Sequence, residues 1–395
     1  MFAPSAAPAS VEPGRASRRP LVSRAGLEVG LVALVVSGVV LTAVGLTGGT
    51  RYLLQGDGQT FRVVAANPFA NGAVLRAQAW YGGDAYRYGR VLYPFLAWCL
   101  ALGHGRWTTV TMCIVDALAV GACAMLASEL CRRHGKRPQL GLLVVAVPAV
   151  GEGMGHLYSE PVFIALILAV YLLWADDRRG WAMVAGAALI LTREAAALAL
   201  VPLIVQSYRL GRRRELLSWA AVGLPYAAWV TWVRFRVGQW PFFDTSVSRR
   251  QALGAPVTSW VDVLRHGSFA AGLFPSIIAM AALTAITLGL AIYVACRRRC
   301  WPLSWGALSM GVLLVFLGPE AIRFPDAVLR LLGPTQVLIL LSLIATAAPS
   351  ALKRGDAREA AEDAGQQGDV VRPAIGSGQA GLDDAGLIAA AAAAR

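Results

Sequence analysis

Residues 27–46 read LEVGLVALVVSGVVLTAVGL, twenty positions with a single charge, Glu28. About twenty apolar residues is the length at which a helix crosses a bilayer. Stretches of this kind recur between compact arginine clusters, and that pattern constrains the fold more than any other feature. The 395 residues are 57% hydrophobic and 15% charged, with a mean hydropathy of +0.57. Soluble domains carry about 25% charged residues and rarely sustain such hydropathy. The pattern predicts an all-α, polytopic transmembrane helical bundle of about eight full spans, plus a broken or re-entrant helix pair. A large first external loop is expected to hold an interfacial helix.

The formal net charge of +13 comes almost wholly from arginine. These arginines are scattered over short loops rather than gathered in one domain, which argues against nucleic acid and for orientation signals and anionic lipid or phosphate partners. The clusters at 14–24, 131–137, 176–179, 208–214, 296–300 and 352–354 place those loops on the cytoplasmic side. The N-terminus is then inside, 27–46 crosses outward and 47–106 forms the external loop. Residues 107–130, 140–157 and 161–174 cross in turn. Further crossings are expected at 216–233, 269–295, 303–317 and 331–348, with a second external loop at about 234–268. The six cysteines contain no CxxC pair and mostly fall in or beside apolar segments, as small buried hydrophobes do.

Residues 1–26 read as a cytoplasmic basic N-terminus, with 27–46 as a retained span because no clean small-residue cleavage site follows it. Residues 27–349 form the transmembrane domain. The Ala- and Gly-rich stretch 350–395, with charges of both signs, reads as a disordered cytoplasmic tail.

One segment breaks the alternation. WAMVAGAALILTREAAALALVPLIVQ, 181–206, has basic clusters at both ends and TRE at its centre. About a dozen helical residues on each side cover roughly 18 Å, half of a hydrocarbon core near 30 Å. Two half-length helices turning at Arg193 and Glu194 fit this, and so does one tilted helix with inverted topology beyond it. In the external loop, RVLYPFLAWCLALG (90–103) is too short to cross, and its Tyr, Trp and Arg suit a helix lying in the interface.

These pieces together resemble the C-type glycosyltransferase superfamily, in particular bacterial relatives of GPI mannosyltransferase 2 and the protein O-mannosyltransferases. The resemblance rests on a first span, then an acid in DGQTF (57–61), then YRYGRVLYPFLAW (86–98), VPAVGEGMGHLYSEPVFIAL (147–166) and GAALILTREAAALALVPLIV (186–205). It covers roughly residues 27–210, while the last third shows only helical character. It implies transfer of a mannose-like sugar from a polyprenyl-phosphate donor to an acceptor glycan, lipid or protein on the external face of the cell membrane. The metal-using members carry a second acid beside the first in this loop. GDGQT departs from that, so a metal-independent inverting reaction with no cofactor is expected.

Transfer to a hydroxyl needs a base near the acceptor oxygen, and one positioned carboxylate is the minimal device. Asp57 matches the family's first-loop acid, and Gly56 and Gly58 permit a tight turn and close ligand approach. An ordinary loop aspartate in an Asx-turn is the plain alternative. Asp84, in YGGDAY, suits turn chemistry better. A phosphate leaving group wants cationic partners, and the loop offers Arg51, Arg62, Arg76, Arg87, Arg90 and Arg106. Arg87 and Arg90 sit among Tyr86, Tyr88 and Tyr93, which prefer the headgroup level, so Arg87, Arg90 and Tyr93 are candidate substrate contacts.

Arg193 lies mid-segment, where an ionisable residue is functional by default and needs a partner, for which adjacent Glu194 serves. Glu160 is expected to face the cavity by resemblance, or merely to stabilise the start of the following helix. His156 near Glu160 is a possible pair but not a metal site. Asp116 and Glu152 match no motif. A membrane transporter or lipid-linked sugar flippase without transferase activity is the competing class, since many spans, a broken segment and buried charge fit it too.

Overall fold

The computed structural model describes residues 20–70, 88–238, 240–241, 254–266, 273–297 and 302–347, all within one compact unit. The tail from 348 on and the first nineteen residues, with the expectations placed on them, lie outside the described residues. The regular elements described are all helical. Helix α1 spans Arg24–Leu53, α2 Asp57–Ala66, α3 Leu92–Leu100 and α4 Thr108–Arg133. A 3₁₀ segment, Pro138–Val144, precedes α5 at Pro148–Gly155, and α6 covers Glu160–Ala175. Then come α7 (Arg179–Thr192), α8 (Ala196–Arg209), α9 (Arg213–Val222) and α10 (Leu224–Val237). The last are α11 (Thr258–His266), α12 (Leu273–Arg297), α13 (Leu303–Val315), α14 (Pro319–Arg323) and α15 (Pro325–Thr346).

The span count differs from the expected eight. Among the described residues five helical segments are long and apolar enough to cross a membrane, α9 and α10 together counting as one, and six if the 3₁₀ segment and α5, bent by 60° between them, make one span. Residues 161–174, all but the last two of 303–317, and both halves of 181–206 lie in helices of 13 to 16 residues. Such helices reach roughly 20–24 Å, short of a hydrocarbon core of about 30 Å. Hydropathy alone does not separate a full span from a helix that stops part-way inside the bundle.

Small residues let α1 and α4 approach closely. A Cβ on either Gly30 or Gly121 would sit 3.0 Å from the other's carbonyl oxygen, the close backbone contact typical of helices packed in lipid. The core lies between α4, α5, α6, α8, α13 and α15, with Phe163, Leu168, Leu172, Leu189 and Leu203 fully buried. Pro202 inside α8 removes the bond to the carbonyl of Leu198, and the Ser309 hydroxyl donates to that carbonyl at 2.8 Å. A backbone group freed in an apolar bundle is thereby satisfied by a neighbouring helix. The cysteines are mixed: Cys123 and Cys131 are buried, whereas Cys99 and Cys296 are exposed.

The segment 181–206 is broken as one of the two sequence readings requires. Helices α7 and α8 have 14 residues each and meet at Arg193, whose extended backbone (φ −163°, ψ 131°) ends α7. Trp174 Nε1 donates to Gln206 at 3.0 Å, and Arg179 reaches Glu215 at 2.9 Å. Both ends of the pair therefore lie together, and the chain returns to the end it left. At that same end Ser23 bonds Glu129 at 2.9 Å, Arg133 pairs with Asp176, and Lys136 donates to the Ala347 carbonyl. These contacts bring the neighbourhoods of the arginine clusters at 14–24, 131–137, 176–179 and 208–214 to one face of the bundle.

Candidate functional site: a buried six-membered ion network

Asp57, Arg90, Glu160, Arg193, Glu194 and Arg330 converge at the opposite end of the short helices. Asp57 is the first residue of α2, so its carboxylate sits at a helix start, where negative charge is favoured. It is thus not a plain loop aspartate. The turn before it uses Gly56 at φ 51°. A Cβ on Gly56 would lie 2.6 Å from the Tyr158 hydroxyl, and one on Gly58 would lie 2.2 Å from the His156 carbonyl oxygen. The glycines admit the protein's own 156–158 segment; the close approach expected of a ligand is made by this chain.

From Asp57 the charges alternate. Arg330 Nη2 donates to Asp57 Oδ2 at 2.8 Å, and Arg330 Nε to Glu160 Oε1 at 2.7 Å. Arg193 Nη1 donates to the same Glu160 oxygen at 2.7 Å. Arg90 forks onto Glu194 at 3.3 and 3.5 Å and stands 3.8 Å from Asp57. Because Glu194 follows Arg193 in the chain, the peptide closes the ring. Among the described residues three cations meet three anions, and buried charges persist only when paired. The Arg330 guanidinium also lies 3.8 Å from the centroid of the Tyr158 ring, a cation–π contact. Burial pushes the Tyr158 hydroxyl well above the usual phenol range, so it stays protonated.

Accessibility within the ring is graded. The arginine side chains are 5 to 7% exposed and Glu160 is 0% exposed, whereas Asp57 is 13% and Glu194 28% exposed. The open face of the network is therefore carboxylate, with the guanidinium groups behind it. Among the described residues Glu160 Oε2 has no hydrogen-bond partner, and neither does the buried Ser159 hydroxyl.

Asp57, Arg90, Glu160, Arg193 and Glu194 were singled out in sequence, and the fold brings all five together. The pairing differs from expectation: Arg193 faces Glu160 across 33 positions, not its neighbour Glu194, which is held by Arg90. Glu160 therefore does more than cap the start of α6. Tyr93, expected among the substrate contacts, is fully buried and presents no surface to a ligand; its hydroxyl donates to Asp116 at 2.9 Å. Asp116, with no motif behind it, is thus the partner of a predicted site residue, and its Oδ1 accepts no hydrogen bond. His156 pairs with Glu152 at 3.3 Å and with the Tyr52 carbonyl rather than with Glu160. Arg76, Asp84 and Arg87 lie outside the described residues.

Arg330 is the member that the sequence reading missed. It stands at the edge of the last apolar run and passes for a loop residue if the span is started at Leu331. The same rule that marks Arg193, an ionisable residue within an apolar helix, marks Arg330 once α15 is seen to begin at Pro325. Among the described residues no three His, Cys, Asp or Glu side chains group as a metal ion would need; the network's carboxylates face guanidinium groups instead. No family model, no curated protein and no solved structure matches this chain.

Proposed function

We propose that this chain is an integral membrane glycosyltransferase. It moves a mannose-like sugar from a polyprenyl-phosphate carrier to an acceptor hydroxyl, with Asp57 as the base. The observation that carries this reading is the position of Asp57: an accessible carboxylate at a helix start, backed by Arg330 at 2.8 Å and Arg90 at 3.8 Å. The arginine-rich end of the bundle is cytoplasmic by the positive-inside rule, which puts the network on the external side. The short helices α6 to α8 end there, roughly 21–24 Å from the cytoplasmic end and short of a hydrocarbon core of about 30 Å, the depth from which a lipid-linked phosphate would be met.

The acceptor oxygen attacks the anomeric carbon with inversion, and its proton passes to an Asp57 carboxylate oxygen. The bond from the anomeric carbon to the phosphate oxygen breaks, and both electrons leave with the phosphate. Arg330 and Arg90 then stabilise the charge that develops on the leaving group. In the resting protein both guanidinium groups are engaged by carboxylates, and the donor's phosphate competes with Asp57 for them. Glu160, clamped by Arg193 as well as Arg330, keeps the cations aimed.

A second reading, a lipid-linked sugar flippase, is favoured by the broken α7–α8 pair with Arg193 and Glu194 at its turn. Purified full-length protein, given a labelled polyprenyl-phosphate sugar and an acceptor, separates the two. Transfer by the wild type is expected, and its absence alongside donor movement across vesicles means the flippase. Asp57→Asn keeps the shape and removes the base, so turnover should fall by about two to four orders of magnitude while donor binding persists. Transfer by Asp57→Asn at the wild-type rate makes Asp57 a structural residue.

A further inference from the structure

A cleft of about 480 Å³ lies between α2 and the start of α4, lined by Arg62, Arg106, Thr108, Thr109 and the backbone at Gly105. Its size falls within the roughly 300–1,000 Å³ of ligand pockets. It is separate from the ion network, since Arg62 stands five residues beyond Asp57 on α2, a rise of roughly 7–8 Å. Its electrostatics are opposite in kind. No acid lines the cleft, and among the described residues neither Arg62 nor Arg106 has a carboxylate partner. Helix α4 is 26 residues long and continues from a 3₁₀ turn at Gly105–Trp107, in which the Trp107 and Thr108 N–H groups bond the His104 and Gly105 carbonyls, and no side chain caps this start. Its positive end thus adds to the two guanidinium charges.

We propose that this cleft binds a phosphate monoester. A monoester carries about −1.5 to −2 charges at neutral pH, which two arginines and a helix start match better than they match the single charge of a diester. Guanidinium groups offer forked donors for such oxygens. The Arg106 guanidinium lies 5.6 Å from the Trp107 ring centroid, which keeps one donor group beside the cleft. The other end of α4 carries Arg132 and Arg133, paired with Glu129 and Asp176, so the cleft is at the end of the bundle away from those pairs. Leu102, Trp107 and Val110 are exposed there, and a tryptophan at such a position sits at headgroup level. The phosphate is therefore that of a lipid monoester; free phosphate has the same chemistry and is the other source to test. The inference does not depend on the transferase reading.

The test uses the full chain in phosphatidylcholine nanodiscs and scores retention of added phosphatidic acid against phosphatidylglycerol by native mass spectrometry. Wild type should prefer phosphatidic acid. Arg62→Gln/Arg106→Gln should lose that binding by about 10- to 30-fold, on the scale of two basic side chains at a membrane surface. The control double variant Arg51→Gln/Arg265→Gln removes two other exposed arginines and should bind as wild type does. All four side chains are exposed, so the folds are expected to survive, and a monodisperse elution profile checks this. Equal losses in both double variants, or no preference for the monoester, overturns the proposal. Millimolar inorganic phosphate should fail to displace the lipid; displacement assigns the cleft to free phosphate rather than to a lipid.

Discussion

The bundle carries an ion network at each end, and the two are built differently. At the clasp, Glu129, Arg132, Arg133, Asp176, Arg179 and Glu215 tie helix ends together, and the arginines remain 19 to 36% exposed. Two of these pairs are local, three or four residues apart on one helix turn. In the network at the other end the three arginines are 5 to 7% exposed, and the partners lie 33, 104, 170 and 273 positions away. At the clasp the arginines are partly exposed and the pairs redundant, although Glu129 itself is buried. In the inner network the arginines lie almost out of solvent, and the pairs join distant parts of the chain. Loss of one residue should therefore cost little at the first end and much at the second.

The largest expected effect is all-or-none, and it asks whether the two ends face opposite sides of the membrane. In a background with all cysteines replaced, an impermeant thiol reagent applied outside should label Gln55→Cys beside the network. It should reach Leu210→Cys beside the clasp only after permeabilisation. External labelling of Leu210→Cys would end the hairpin with cytoplasmic ends. Next, Arg330→Met should destabilise the detergent-solubilised protein by about 3–5 kcal/mol and abolish transfer, because it strands buried Glu160 with one partner. Thermal unfolding and activity, measured together, check this. A shift under about 1 kcal/mol would erase the contrast between the ends.

Gly58→Ala comes third. Its Cβ would meet the His156 carbonyl oxygen at 2.2 Å, so overpacking of about 1–3 kcal/mol and displacement of Asp57 are expected. Gly151→Ala on α5 meets nothing within 4 Å and should be neutral or stabilising by up to about 1 kcal/mol. The same destabilisation at both positions would mean that the 56–58 turn is not packed as described. The smallest effect belongs to Arg132→Ala, within about 1 kcal/mol, because Ser23 and Arg133 remain on Glu129. A loss there as large as at Arg330 would show the clasp to be as critical as the buried ring.

Much of the architecture was legible because its cause is local. Long apolar runs demand helices whatever lies beside them, since an unpaired backbone group in hydrocarbon costs several kcal/mol. The break at Arg193–Glu194 was legible for the same reason: basic clusters flank two apolar halves, each too short to cross. Asp57, Arg90 and Glu160 were marked by residue type and by the motifs around them. What the sequence alone did not contain was distance between helices. Whether 161–174 crosses the bilayer or stops inside it depends on what covers its ends, not on its own composition.

The partner of Arg193 was decided by packing that carries α6 beside α7 and presents Glu160 at 2.7 Å, while adjacent Glu194 is turned to Arg90. Arg330 joins the ring only because α15 lies against α5 and α6, bringing its guanidinium between Asp57 and Glu160. Local hydropathy and charge order thus set the helical, membrane-embedded character of the chain. The pairing of buried charges depends on helix rotation and depth, which come from shape complementarity over the whole bundle, and only the tertiary structure decides them.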